Sequence, residues 1–335
     1  MCTFAGVNFK KMKKQDDLLL LKARGYRSVL ATGFQLYTSN FRRFFKASWQ
    51  MAILYALSCG ALGTLTAIKL PEISTGIAKQ MLTYQAVSIE SLQSYSIIGL
   101  EILLLMLLAL ATLALASAPI LSKLKEHKET GTITTPPHWF SASPHLMGRS
   151  LKGVFLTVLI LLIPFCLFVA AMFVLDTVSQ QFILRHLTTT IVAFFVYGLI
   201  VVLFSLPLYH VLMKYLMEAP CGYWKTLGRS YASGLRHWGL MFLVFFVSML
   251  LIQLVAFIVM LPSHILSFAN QQAHQGLLFG DPLGMPSYIT TLTFITVTLC
   301  CFIQFYVSQV LLVHNYYIYG SIEAREQERN NIENP

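Results

Sequence analysis

Gly239–Leu261 reads GLMFLVFFVSMLLIQLVAFIVML and carries no charged side chain. A helix rising about 1.5 Å per residue makes such a run long enough for the roughly 30 Å hydrocarbon layer, and it bonds its own backbone polar groups there. Five further charge-free runs share this character, at Trp49–Ile68, Ile102–Ser122, Val154–Leu175, Leu187–Leu208 and Ile289–Val313. The chain around them agrees: 56% of residues are apolar and 11% are charged, against a charged fraction of about 25% in soluble domains. Barrel strands alternate apolar and polar residues over about ten positions, and these runs do not. The expected fold is therefore all-α, with six transmembrane helices.

Basic residues beside short loops resist translocation, so their distribution orients the chain. Ten, from Lys10 to Lys46, precede the first span. Lys123, Lys125, Lys128, Arg149 and Lys152 lie in the second connection, and Lys214, Lys225, Arg229 and Arg236 in the fourth. With Arg325 and Arg329 after the last span, one side holds 21 of the 24 basic residues, opposed by Lys69, Lys79 and Arg185. The expectation is a bacterial cytoplasmic (inner) membrane protein with both termini in the cytoplasm. Its net charge of +10 calls for no nucleic acid, because anionic lipid headgroups suffice as partners. The basic cluster near the start leads into Asp16, Asp17 and only four leucines, so no cleavable signal peptide is expected, and Met12-Lys13-Lys14 reads as an alternative start.

The expected division is a basic N-terminal segment over 1–24, a transmembrane domain over 25–313 and a cytoplasmic tail over 314–335. Spans fall near 47–68, 98–121, 154–175, 187–208, 239–261 and 289–313. The six spans form three hairpins, and an amphipathic cytoplasmic elbow precedes each odd-numbered span. In Tyr26–Lys46 apolar residues recur at three- and four-residue steps, with Arg42, Arg43 and Lys46 on the other faces. That pattern predicts a helix at the headgroup boundary, apolar face toward the lipid. Before the fifth span Trp224, Leu227, Tyr231, Leu235 and Trp238 form an equivalent stripe. Tyr37-Thr38-Ser39-Asn40-Phe41-Arg42-Arg43-Phe44 aligns without gaps on Tyr231-Ala232-Ser233-Gly234-Leu235-Arg236-His237-Trp238, and Gly148-Arg149-Ser150 matches Gly228-Arg229-Ser230. Ser117-Ala118-Pro119 and Ser205-Leu206-Pro207 echo each other in the even-numbered spans. Duplication of one ancestral hairpin explains these matches; belt chemistry that collects Arg and aromatics at any cytoplasmic flank is the alternative.

The phrase Phe41-Arg42-Arg43-Phe44-Phe45, repeated as Leu235-Arg236-His237-Trp238, resembles polytopic bacterial membrane proteins related to the membrane domain of glycerophosphodiester phosphodiesterases. The ending, from Tyr316-Tyr317-Ile318-Tyr319-Gly320-Ser321 to Glu326, is similar to the close of uncharacterised Bacteroidetes-type membrane proteins. The resemblance implies the fold and no reaction, since the soluble catalytic domain of those phosphodiesterases has no counterpart in this sequence.

No motif for catalysis, cofactor or metal is present in the sequence: no nucleophile elbow, phosphate loop or metalloprotease helix. His127, His138 and His145 share one connection at spacings too loose for zinc and read as solvated. His210 and His314 follow even-numbered spans and read as part of the interfacial belt. The polar residues in or beside the hydrocarbon are Glu101, Gln253, Gln304 and Gln309. Glu101 is either a solvated interfacial carboxylate or a proton or cation site, and the glutamines either join helices or line a substrate path. Candidate headgroup contacts are Arg42, Arg43, Lys46, Arg149, Arg229, Arg236 and His237.

Two function classes remain. The favoured one is a non-enzymatic membrane module or small transporter that handles or senses an amphipathic envelope solute, a lipid or a protein partner, with a homo-oligomer or an envelope protein as companion. The alternative is a membrane-embedded lipid-modifying enzyme, which needs an interfacial acid–base cluster; a cleft that gathers His210, His237 and an acid would favour it. Tags fused before Met1 and after Pro335 should both resist an impermeant reagent in intact cells and react once the membrane is opened. Labelling of either in intact cells overturns the orientation.

Overall fold

The computed structural model describes residues 20–82, 89–135, 143–178, 187–218, 222–280 and 286–333. Lys10, Lys11, Lys13, Lys14, Met12, Asp16, Asp17, His138 and Arg185 lie outside the described residues. Within them the chain is helical, without strands. In chain order the helices are α1 (Tyr26–Leu82), α2 (Ile89–Thr130), α3 (Pro144–Val178), α4 (Leu187–Met217), α5 (Tyr223–Arg236), α6 (Trp238–Leu278) and α7 (Tyr288–Glu333). All but α5 are long and apolar enough to cross a membrane. Gly131, at φ 71°, ends α2 in the left-handed conformation that a side chain disfavours.

Several helices outrun a bilayer. The 57 residues of α1 extend about 85 Å at 1.5 Å per residue, so both of its ends project beyond the hydrocarbon. The amphipathic segment Tyr26–Lys46 is accordingly not a separate elbow but the first turns of α1. It buries Leu36, Tyr37 and Phe44, chiefly against α7, and leaves Arg42, Arg43 and Lys46 exposed. The segment before the third span likewise runs straight on as α3. Only before the fifth span is the elbow a helix of its own, α5, which stops where His237 leaves helical geometry. The Phe45 ring of α1 meets Phe302 of α7 and Tyr55 meets Phe305, and between them Ser48 returns its hydroxyl to the Phe44 carbonyl at 2.9 Å.

The largest fully buried side chains gather at the basic end: Tyr316, Tyr317, Ile318 and Tyr319 of α7, with Leu36, Leu124 and Met213 around them. Residues 314–333, read from sequence as a tail, instead continue α7 and form the centre of this end. Arg24 closes it by donating its backbone N–H to Ser321 at 2.9 Å, so the start and finish of the described chain lie together, as an even number of crossings requires. The distribution is physical. Beyond the bilayer, water drives apolar side chains inward, whereas lipid chains solvate them equally well inside it. Spans α3 and α4 accordingly leave Phe155, Leu167, Phe173, Ile191 and Phe195 exposed.

Helices approach most closely where a side chain is missing. A Cβ on Gly33 would run into the His314 ring, and those on Gly60 and Gly63 into Thr298 and Val297, so α1 and α7 meet through glycine. A second device fixes α1 to α6. Pro71 has no N–H for the Ala67 carbonyl four residues earlier, and Asn270 of α6 donates its side-chain amide to that carbonyl at 2.6 Å. Asn270→Leu should therefore cost roughly 1–2 kcal/mol, read as a lower unfolding midpoint in detergent. In a Pro71→Ala background the restored N–H takes the carbonyl and the same change should cost little. An undiminished penalty there would show that Asn270 acts in some other way.

Candidate functional site: the basic end and the groove beneath α5

α5 folds back along α4. Three contacts set its course: the Tyr223 ring packs edge-on against Tyr215 at 5.4 Å, Gly234 lies where an added Cβ would stand 3.0 Å from Pro207, and Trp238 Nε1 donates to the Leu203 carbonyl at 3.2 Å. Leu203 is the carbonyl that Pro207 deprives of its helical partner. Tyr231 adds a bond from its hydroxyl to the neighbouring Phe204 carbonyl at 3.1 Å. At the other end the Tyr223 and Thr157 hydroxyls are 2.7 Å apart, which ties α5 to α3. Burial raises both phenols above their ordinary range, an effect the Thr157 hydroxyl partly offsets at Tyr223. Both stay protonated and able to donate.

The sequence of α5 distributes three chemistries around one helix. Tyr223, Thr226, Ser230 and Gly234 form the buried face; apart from Tyr223 they are small, and so admit close packing. Trp224, Tyr231 and Leu235 form an apolar stripe that is largely uncovered, with Trp224 62% exposed. At 100° per residue, Lys225, Arg229 and Arg236 make a third stripe beside the apolar one, and all three are exposed. Gly228 and Ala232 fall between the two. Beneath this middle stretch a cavity of about 440 Å³ opens against α3 and α4, bounded by Ile160, Pro164, Leu208, Gly228, Ala232 and Leu235. Its one phenol, Tyr231, is spent on the Phe204 carbonyl.

Inside the same end runs a seam of charge. Lys214 of α4 bridges Glu323 of α7 at 2.7 Å and Glu218 at 3.8 Å. Tyr319 donates to Glu218 at 3.0 Å, and Lys128 of α2 donates to Tyr319 at 3.1 Å. His210, with no exposed surface, stands 3.7 Å from Glu323, and Glu326 holds Arg236 at 3.1 Å with His237 at 3.7 Å. The histidines depart from the sequence reading. His127 is not solvated but buried, 2.9 Å from the Tyr316 hydroxyl. His314 lies in the interior, 2.7 Å from Ser248, and His210 is likewise interior rather than part of a belt. His145 is exposed. Their signal was the apolar run Tyr316–Ile322, which an exposed tail would not carry.

The candidate headgroup residues divide. Arg42, Lys46 and Arg229 are exposed, and Arg43 is exposed with a bond to Asn40 at 2.6 Å. Arg149 is turned inward, over the Tyr215 ring and onto the carbonyls of Tyr215 and Glu218, and Arg236 and His237 face Glu326. The intramembrane candidates do not converge. Glu101 sits on the outer face of α2 among exposed Leu100, Leu103 and Leu104, Gln253 is exposed on α6, Gln304 is half-buried and Gln309 is buried on α7. Gln253 thus differs in exposure from the other two glutamines. A second cavity, of about 610 Å³, lies at the far end between α1, α6 and α7, among Thr66, Ser74, Ser263, His264, Gln271 and Thr293. Among the described residues no group of three or more His, Cys, Asp or Glu side chains is placed to hold a metal. No family model, curated protein or solved structure matches the chain.

The charged seam has a testable consequence. Glu323→Leu strips Lys214 of its nearest partner inside a packed end and should cost on the order of 3 kcal/mol, whereas Lys214→Met with Glu323→Leu should recover most of that. Thermal unfolding of Glu323→Leu, Lys214→Met and the double variant in detergent reads the difference; a double-variant loss equal to the sum of the two single losses would mean that the pair contributes no coupling.

Proposed function

We propose that this chain is a non-enzymatic multi-pass module of a bacterial cytoplasmic membrane, with its basic end in the cytoplasm, that holds or presents an amphipathic envelope solute, an anionic lipid first among them. One observation carries the reading. At the basic end, exposed cations lie beside exposed aromatic or aliphatic stripes twice over: Arg42 and Lys46 beside Phe41 and Phe45, and Lys225 and Arg229 beside Trp224 and Leu235. Phosphate on one side and acyl chains on the other is the environment such a pairing fits. The same side carries the excess of basic residues that retains loops in the cytoplasm. The resemblance of the elbow phrases to the membrane domain of phosphodiesterase-related proteins accords with this module and lends it no reaction.

A transporter would need a polar route across the bundle, and the scattered glutamines offer none. The enzymatic alternative gains a pair of histidines near acids, His210 by Glu323 and His237 by Glu326. Neither histidine lines either of the two cavities described.

Arg42, Lys46, Lys225 and Arg229 changed together to Glu should reduce copurifying phosphatidylglycerol and vesicle-surface retention, since each cation near an anionic surface contributes about 1 kcal/mol. These side chains are exposed, so the unfolding midpoint should stay put. Undiminished anionic lipid in the quadruple variant would reject the proposed role.

A further inference from the structure

We infer that the groove beneath α5 is a discrete binding site for one anionic glycerophospholipid, which places an acyl chain against α3 and α4 and its phosphate between Lys225 and Arg229. The inference rests on the lipid reading above and narrows it from a charged surface to one site. Three observations point to this occupant. The cavity, about 440 Å³, is within the range of small-ligand sites, and its lining offers hydrocarbon and no free polar group, which suits a chain rather than a headgroup. It is also held open. Bonds at both ends of α5 suspend the middle of the helix across α3 and α4, through Tyr223 to Thr157 and through Tyr231 and Trp238 to α4, while Gly228 and Ala232 supply no bulk to fill the space.

The third observation is charge complementarity at the rim. Lys225, Gly228 and Ala232 stand at i, i+3 and i+7 on one face, and Arg229 continues the cationic edge one turn further. Arg236, on the same stripe, is engaged by Glu326, so among the described residues Lys225 and Arg229 are the cations on this stripe that no carboxylate bridges. A phosphodiester there meets two positive charges while its chain lies one residue-width away in the groove. A zwitterionic lipid has the same phosphate but adds a cation that this edge repels. A second copy of this chain would cover the groove only by bringing its own carboxylates to that edge, and α3 and α4 expose apolar side chains instead.

The site can be filled from within. A Cβ at Gly228 meets nothing within 4 Å, so Gly228→Leu occupies the groove without a clash and favours the helix over glycine. Gly198 of α4 is equally unobstructed and gives a control, Gly198→Leu. The full chain in detergent would be titrated with phosphatidylglycerol and with phosphatidylcholine of the same acyl chains, and bound lipid counted by native mass spectrometry. The expected result is one phosphatidylglycerol held about 5- to 30-fold more tightly than phosphatidylcholine, the preference that one to two charges of about 1 kcal/mol each provide. Gly228→Leu should remove that bound lipid, Gly198→Leu should keep it, and Lys225→Gln with Arg229→Gln should abolish the discrimination. Equal retention of the two lipids, or a bound phosphatidylglycerol indifferent to Gly228→Leu, overturns the site. So does a dimer that Gly228→Leu disrupts, which would make a second copy the occupant. If bulk phosphatidylglycerol falls with the four-residue charge reversal while the single bound lipid ignores Gly228→Leu, the general lipid role stands and only the groove fails.

Discussion

Hydrocarbon offers no hydrogen bonds, so a backbone carbonyl released inside the bundle is costly unless another donor reaches it. Proline releases such carbonyls at fixed places, and two of these are where helices are joined. Pro71 gives up the Ala67 carbonyl and α6 supplies Asn270; Pro207 gives up the Leu203 carbonyl and the chain after α5 supplies Trp238. A related contact occurs near Pro119, where Ser150 of α3 donates to the Ala114 carbonyl at 2.8 Å. In each case the donor is a side chain of a different helix. These bonds join particular helices at defined heights, and the contacts at Leu203 and Pro207 help hold α5 over the groove.

A second constraint acts outside the bilayer, where water supplies the driving force that lipid withholds. Tyrosines and leucines crowd the basic end, and charged groups are drawn in with them. There Lys214 and Lys128 offset Glu218 and Glu323, and Tyr319 fills a remaining acceptor site on Glu218. A cation alone at this depth would be costly; a seam of alternating charge is tolerable and joins α2, α4 and α7. The result is a well-packed, water-facing head on a loosely packed set of spans, with α3 and α4 the most exposed to lipid.

The spans were legible because absence of charge over twenty residues has one physical explanation. The elbow pattern was legible too, and the alignment of Tyr37 on Tyr231 found more than similarity: both hydroxyls donate to a carbonyl of another span, Tyr306 at 2.7 Å and Phe204 at 3.1 Å. What the sequence concealed was partnership at long range. Trp238 reads as one more residue of an apolar stripe, and its use as a donor appears only when Pro207, in the preceding span, is set beside it. His127, His210 and His314 look like loop and belt residues because their neighbours in sequence are polar or interfacial, while the side chains that bury them come from α6 and α7. The packing of residues 314–333 was hidden for the same reason: Glu323 and Glu326 meet cations on α4 and α5.

The three elbows can now be compared as one motif in three environments. The first is covered: α7 lies along α1, and Leu36, Tyr37 and Phe44 disappear beneath it. The second has turned its basic residue to structural use, since Arg149 reaches the carbonyls of Tyr215 and Glu218 at the close of α4, where a helix end leaves acceptors without partners and favours a cation. The third keeps its cations outward and its small residues over an empty groove. Of the elbow pattern, Gly148-Arg149-Ser150 retains the letters nearest the α4 carbonyls and little else. In the third elbow α5 is fastened at both ends and bridges a groove with its middle.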